Sequence, residues 1–301
     1  MKHDVHFPSD GSTLAGHLYV PDDLQSGERR PAVVVVSPGS GIKEQTSGRY
    51  AEELHRRGFV ALAFDHRTYG ESEGYPRFDE NPYAKAEDIK NAVSFLGNRA
   101  EVEVDKIGAM GICGGGGYAP YAAATDRRIK AVATVSGMTN NRASFEEMAG
   151  GDPSILRAMI DASSSARQTF SRGEPAAYGP VILPADSPYT PEVFKESPNY
   201  YFDDNRGGHS RWENKVLAWS LERQLTFNAL DAIHLIAPRP LLFIVGTESA
   251  SRKQNELAYA AAGEPKELAL IPGASHIDLY DVDQYVTPVA DRLAEFFTKG
   301  L

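Results

Sequence analysis

Short runs of branched and small apolar residues alternate along this chain with stretches in which apolar side chains recur every three or four positions. Residues 32–36 read Ala-Val-Val-Val-Val, a continuous apolar run of the kind a strand needs when it is covered on both faces. Runs at 59–64, 107–112, 131–135 and 241–245 repeat the pattern, and 268–271 is a shorter last one. Between them the spacing predicts helices over 46–57, 84–98, 115–124, 251–262 and 283–298. At the start, 5–7 and 13–20 flank Ser9-Asp10-Gly11 and predict an antiparallel hairpin. Strands alternating with helices predict an α/β fold, a mostly parallel central sheet with helices on both faces.

One region breaks the rhythm. Residues 138–234 hold no strand-like run, are rich in Pro, Tyr, Ser and Asn, and end in an amphipathic stretch at 212–230. A hundred-residue connection is far beyond ordinary loop length, so this segment is expected to carry helices of its own. It follows a strand end, and open α/β sheets bind ligands at the carboxyl ends of their strands. The expected organisation is a core of residues 1–137 and 235–301 with a helical cap insertion at 138–234.

The chain has 301 residues, 42% of them hydrophobic, enough for a large core. A formal charge of −10 argues against nucleic acid or an anionic membrane as partner. Neither a membrane-length apolar run nor an apolar leader after Met1-Lys2-His3-Asp4 is present, so the expected location is cytoplasmic. The single cysteine excludes an intrachain disulfide. Oligomeric state is left open, a homodimer among the options.

That cysteine, Cys113, stands in Gly111-Ile112-Cys113-Gly114-Gly115-Gly116-Gly117, between a strand-like and a helix-like run. This is the shape of a nucleophile elbow with a thiol in place of the usual hydroxyl: small neighbours tolerate a tight turn that lifts the nucleophile above the sheet. Acyl transfer also needs a base, a group that orients it, and donors for the oxyanion. His276 follows the last predicted strand and is the candidate base. Glu248 is the only carboxylate in the loop after the penultimate strand and is taken as the acid, with Asp278, Asp281 or no acid at all as the alternatives. The loop Ser37-Pro38-Gly39-Ser40-Gly41 follows the strand at 32–36 and offers Gly39 and Ser40 as oxyanion donors beside the N–H of Gly114. Neither phosphate-loop pattern, GxGxxG or GK[ST], occurs there.

Taken in order, Ser37 to Gln45, then Phe64-Asp65-His66-Arg67-Thr68-Tyr69-Gly70-Glu71-Ser72-Glu73-Gly74, the cysteine elbow, and His276-Ile277-Asp278-Leu279-Tyr280-Asp281, the chain resembles the α/β-hydrolase superfamily over essentially its whole length. Its cysteine elbow is similar to that of dienelactone hydrolases. Lys43-Glu44-Gln45 and the histidine segment are closer to a branch with polyketide transferase-like thiohydrolases. The resemblance implies Cys113 as nucleophile, His276 as base, and an ester, lactone or thioester hydrolase working through an acyl-cysteine on a small-molecule acyl substrate. An acyltransferase using the same residues, or a noncatalytic small-molecule-binding homologue, are the alternatives. It also implies that Glu44 holds the resting thiol, and it requires no metal or organic cofactor. Tyr69, His209 and Trp212 are the candidate pocket residues.

Overall fold

A computed structural model describes residues 1–301. The expected hairpin is longer than its apolar core: β1 (Lys2–Ser9) and β2 (Ser12–Tyr19) pair along their full length, and Asp10 and Gly11 turn between them with φ of 43° and 82°. The run at 32–36 is the centre of β3 (Arg30–Val36). Its alternate side chains, Val34 and Val36 on one side and Val33 and Val35 on the other, enter separate apolar clusters. That is why no polar residue interrupts it.

The eight-stranded sheet runs β1-β2-β4-β3-β5-β6-β9-β10, with β4 (Val60–Phe64), β5 (Val102–Ile112), β6 (Ile129–Val135), β9 (Leu241–Gly246) and β10 (Lys266–Ile271). From β4 to β10 every pairing is parallel, and β1 and β2 add an antiparallel edge. Tyr50 and Leu54 of α1 (Thr46–Arg56) and Leu293 and Phe297 of α10 (Asp283–Gly300) cover one face. Ile89 and Val93 of α2 (Pro82–Gly97), Ala119 of α3 (Gly115–Thr125) and Ala258 of α8 (Arg252–Ala261) cover the other. This is the α/β fold that the alternation predicts, in the α/β-hydrolase arrangement that the resemblance implies. Among the described residues no helix is long and apolar enough to cross a membrane.

Between β6 and β9 the chain forms α4 (Asn141–Met148), α5 (Pro153–Ser171), α6 (Pro198–Tyr201) and α7 (Leu221–Gln224). The long helix starts where its sequence says it should: Asp152 caps the N–H of Ser154, and Pro153 occupies the first turn, where a missing N–H costs nothing. The amphipathic stretch at 212–230 is not one helix. Its apolar positions are met by a two-residue ladder, β7 (Tyr178–Gly179) with β8 (Val216–Leu217), followed by short turns and α7. Residues 138–234 therefore do contain strand, though only a minimal one.

Candidate active site

Cys113 caps β5 with φ of 51°, a left-handed conformation that an L-residue adopts at a cost and that recurs at functional positions. The turn closes through Cys113 O, which accepts the N–H of Gly116 at 2.9 Å and that of Met138 at 2.7 Å. Two glycines make this possible. A Cβ on Gly111 would overlap the Gly115 carbonyl, and one on Gly115 would sit 2.6 Å from the Ser37 carbonyl oxygen. With both bare, α3 presses against the ends of β5 and β3 and brings the amide of Gly114 beside the loop at Gly39.

Three polar groups surround the buried thiol: the hydroxyl of Tyr280 and the backbone N–H groups of Gly114 and Gly39. Burial pushes the Cys113 thiol up, and these donors only partly offset it, while the nearby charge of Glu80 adds to the rise. The resting group is a neutral thiol.

The oxyanion loop has one donor fewer than its sequence implies. Ser40 has φ of 58° and gives its N–H to Glu80 at 2.9 Å, which removes it from the oxyanion set and leaves Gly39 and Gly114. Glu80 also accepts from Lys85 at 2.5 Å and from Tyr118 at 2.8 Å. Burial alone would raise its pKa, but the Lys85 cation and the Lys85, Tyr118 and Tyr69 hydrogen bonds win and hold it below the usual carboxylate range. Tyr69 belongs to this support: its buried ring lies 4.5 Å beneath Lys85, and its hydroxyl also reaches the Phe78 carbonyl at 3.1 Å. It holds Glu80 and is not part of the cavity wall.

His276 is buried in the turn after β10, its carbonyl held by Ser136 at 3.2 Å. Its Nδ1 meets Ser251 Oγ at 3.0 Å and its Nε2 meets Tyr280 Oη at 3.2 Å. Ser251 Oγ in turn lies 2.9 Å from Ser249 Oγ. Burial alone drives the imidazole down to about 3, with no carboxylate acting against it.

Glu248 does not reach this histidine. It is exposed and accepts from Thr247 at 3.1 Å, because the chain turns at Ser249 and sends the side chain before it outward. Neither substitute takes its place. Asp278 accepts from the Ser275 N–H at 3.0 Å, and Asp281 forms a two-point pair with Arg206 at 2.7 and 2.8 Å. The position of an orienting acid is filled by a hydroxyl, Ser251.

Glu44 is also engaged elsewhere. It lies 3.0 Å from Lys43 Nζ and 3.0 Å from Arg211, so it ties the β6–β9 insert to the core instead of holding the thiol. The carboxylate that acts on Cys113 is Glu80. The quoted segment after β4 serves the same loop from behind: Asp65 accepts the N–H and the Nζ of Lys43, both at 2.8 Å.

A cavity of about 520 Å³ opens over Cys113. Met138, Phe145, Met148, Met159, Leu183 and Leu217 make its lining apolar, and among the described lining residues Glu80 is the only charged one. Trp212 stands one layer back, stacked on the lining ring of Tyr201 at 4.9 Å. His209 lines a second cavity of about 500 Å³, a polar one shared with Glu44, Arg49 and Arg206.

The structure thus brings together Cys113, Gly39, Gly114 and, through Tyr280, His276. Sequence reasoning missed Tyr280, Ser251 and Glu80. Tyr280 had a signal, since it falls four residues after His276 across the one-turn helix α9 (Asp278–Asp281). Glu80 and Ser251 stand in no pattern and are identified only by what they touch.

Comparison with known proteins bears on the family and the fold. The model of the family described as X-Pro dipeptidyl-peptidase (S15 family) matches residues 10–177. An uncharacterized protein of Pseudomonas aeruginosa is 39% identical over 97% of this chain and 78% of its own. Its crystal structure superposes with a TM-score of 0.91 over 100% of this chain and 94% of that one, at 36% identity. A polyketide transferase of Gibberella fujikuroi is 29% identical over 92% of this chain and 91% of its own. An α/β hydrolase of a Penicillium species shares the fold, with a TM-score of 0.86 at 24% identity over 100% of this chain and 99% of that one.

Proposed function

The chain belongs to the X-Pro dipeptidyl-peptidase (S15) family, and from that premise we propose that it is an acyl-transferring hydrolase whose nucleophile is Cys113. The observation that carries the proposal is the left-handed cysteine with the N–H groups of Gly39 and Gly114 facing its thiol, under an apolar cavity. A thiol attacking an ester, lactone or thioester carbonyl places the new oxyanion where those two amides already point, without reorganisation. His276 takes the thiol proton and returns it to the leaving group, and a second nucleophile then releases the acyl group from sulfur.

The cavity favours a neutral acyl group of mainly hydrocarbon character. Its one carboxylate is already neutralised by Lys85, so nothing free remains to bind the ammonium end of a peptide. The insert at 138–234 supplies much of the apolar wall and acts as a cap over the thiol. Because that wall excludes water, an acceptor alcohol competes well with hydrolysis, and the relative described as a polyketide transferase supports this second outcome at the same site.

Cys113→Ala tests the reading with p-nitrophenyl hexanoate as probe. The expected result is loss of turnover by at least about 10³-fold, with an acyl adduct on the wild-type chain alone in intact-mass spectra. Unchanged turnover in the variant overturns it.

A further inference from the structure

We propose that Tyr280 is a catalytic residue that carries the proton between Cys113 and His276. The proposal rests on the reading of Cys113 as nucleophile and adds a member to its machinery. The imidazole has two ring nitrogens. Nδ1 is taken by Ser251 Oγ at 3.0 Å, and Nε2 ends on Tyr280 Oη at 3.2 Å, so the nitrogen left to act as base faces a phenol. Tyr280 and Cys113 line the same cavity, which brings the phenol beside the thiol as well as against the imidazole.

Tyr280 is held in place. Its backbone carbonyl accepts from Thr46 Oγ1 at 3.0 Å, that of Leu279 accepts from Tyr50 at 2.7 Å, and its ring meets the edge of Tyr200 at 5.1 Å. A buried phenol gains little as an anion, so it passes protons without keeping a charge.

The step balances as follows. The Cys113 S–H proton moves to Tyr280 Oη while the Tyr280 hydroxyl proton moves to His276 Nε2; the sulfur electron pair forms the S–C bond as the carbonyl π bond breaks and its pair moves onto the oxygen held by the Gly39 and Gly114 amides. On collapse the bond to the leaving oxygen or sulfur breaks with its electron pair, and the proton returns through Tyr280 to that atom. Tyr280 ends each half-reaction unchanged. Two protons are therefore in flight during acylation.

Single-turnover acylation of the full-length protein by p-nitrophenyl hexanoate in H₂O–D₂O mixtures reads this directly. The expected rate dependence on deuterium fraction is bowed for the wild type. In Tyr280→Phe it becomes linear, with acylation slowed by about 10²- to 10⁴-fold, the usual range for a proton-transfer group. A linear dependence in the wild type overturns the relay, whether or not the variant folds. So does a Tyr280→Phe rate within threefold of wild type while Cys113→Ala and His276→Ala are inactive. An active Cys113→Ala strikes instead at the nucleophile assignment.

Discussion

Glu80→Gln perturbs two things in opposite directions, which makes it a demanding test of the site's electrostatics. Glu80 and Lys85 form a buried ion pair at 2.5 Å, with Lys85 about 1% exposed. Neutralising one member of such a pair strands the other, at a cost of about 3–5 kcal/mol. The rings of Tyr69 and Tyr118, 4.5 and 5.4 Å from the Lys85 ammonium, retain part of the attraction and place the loss near the low end, about 3 kcal/mol. With a melting entropy of about 2 cal/mol/K per residue, that loss lowers the melting temperature of a chain this long by about 5 °C. The thiol moves the other way. The Glu80 charge opposes thiolate formation, so its removal shifts the midpoint of Cys113 alkylation to lower pH. Calorimetry and iodoacetamide labelling followed by mass spectrometry across pH 6–10 read the two effects. A melting temperature within 1 °C of wild type, or a labelling midpoint that rises, refutes the reasoning. Adding Lys85→Met to Glu80→Gln is expected to restore most of the stability, because deleting both members leaves no orphaned charge.

Other outcomes follow from the same contacts. Ser251→Ala removes the hydrogen bond that orients His276 Nδ1 and is expected to lower kcat about tenfold, the worth of one hydrogen bond, with KM unchanged in steady-state kinetics. His276 has its folded pKa lowered to about 3 from an unfolded 6.5, so its contribution to stability is complete above pH 6.5 and is lost as the pH falls from there toward 3. Urea unfolding at pH 7 and pH 4 is expected to show a loss that His276→Asn reduces, by an amount on the order of 3 kcal/mol, and equal losses in both proteins count against a neutral buried imidazole. Met148→Trp narrows the apolar cavity and is expected to lower kcat/KM for p-nitrophenyl decanoate at least tenfold more than for the butyrate, as initial rates on both esters will show.

The strands of the parallel sheet and the turn that carries the thiol were legible in the sequence because both depend on local rules. A run such as 32–36 has no alternative to a strand buried on two faces, and the glycines around Cys113 have no purpose outside a turn pressed against its neighbours. The orienting group behind His276 was not legible. Loop position singles out Glu248, but a turn at Ser249 decides which side chain points inward, and that choice is made by three-dimensional packing. Glu44 and Glu80 show the same limit: which of two glutamates approaches the thiol depends on whether Lys43 or Lys85 reaches each one first. The stretch at 212–230 misled for a different reason, since helical spacing of apolar residues is equally satisfied by a ladder and successive turns packed on α5.

The neutral, buried state of Cys113 bears on how the thiol fares among oxidants. Peroxides attack thiolates, and each step from sulfenic to sulfonic acid begins with an ionised, accessible sulfur. Here the sulfur is buried and protonated, and the imidazole beyond Tyr280 carries no charge to ionise it. A thiol held in this state is shielded from the oxidants that commonly damage reactive cysteines.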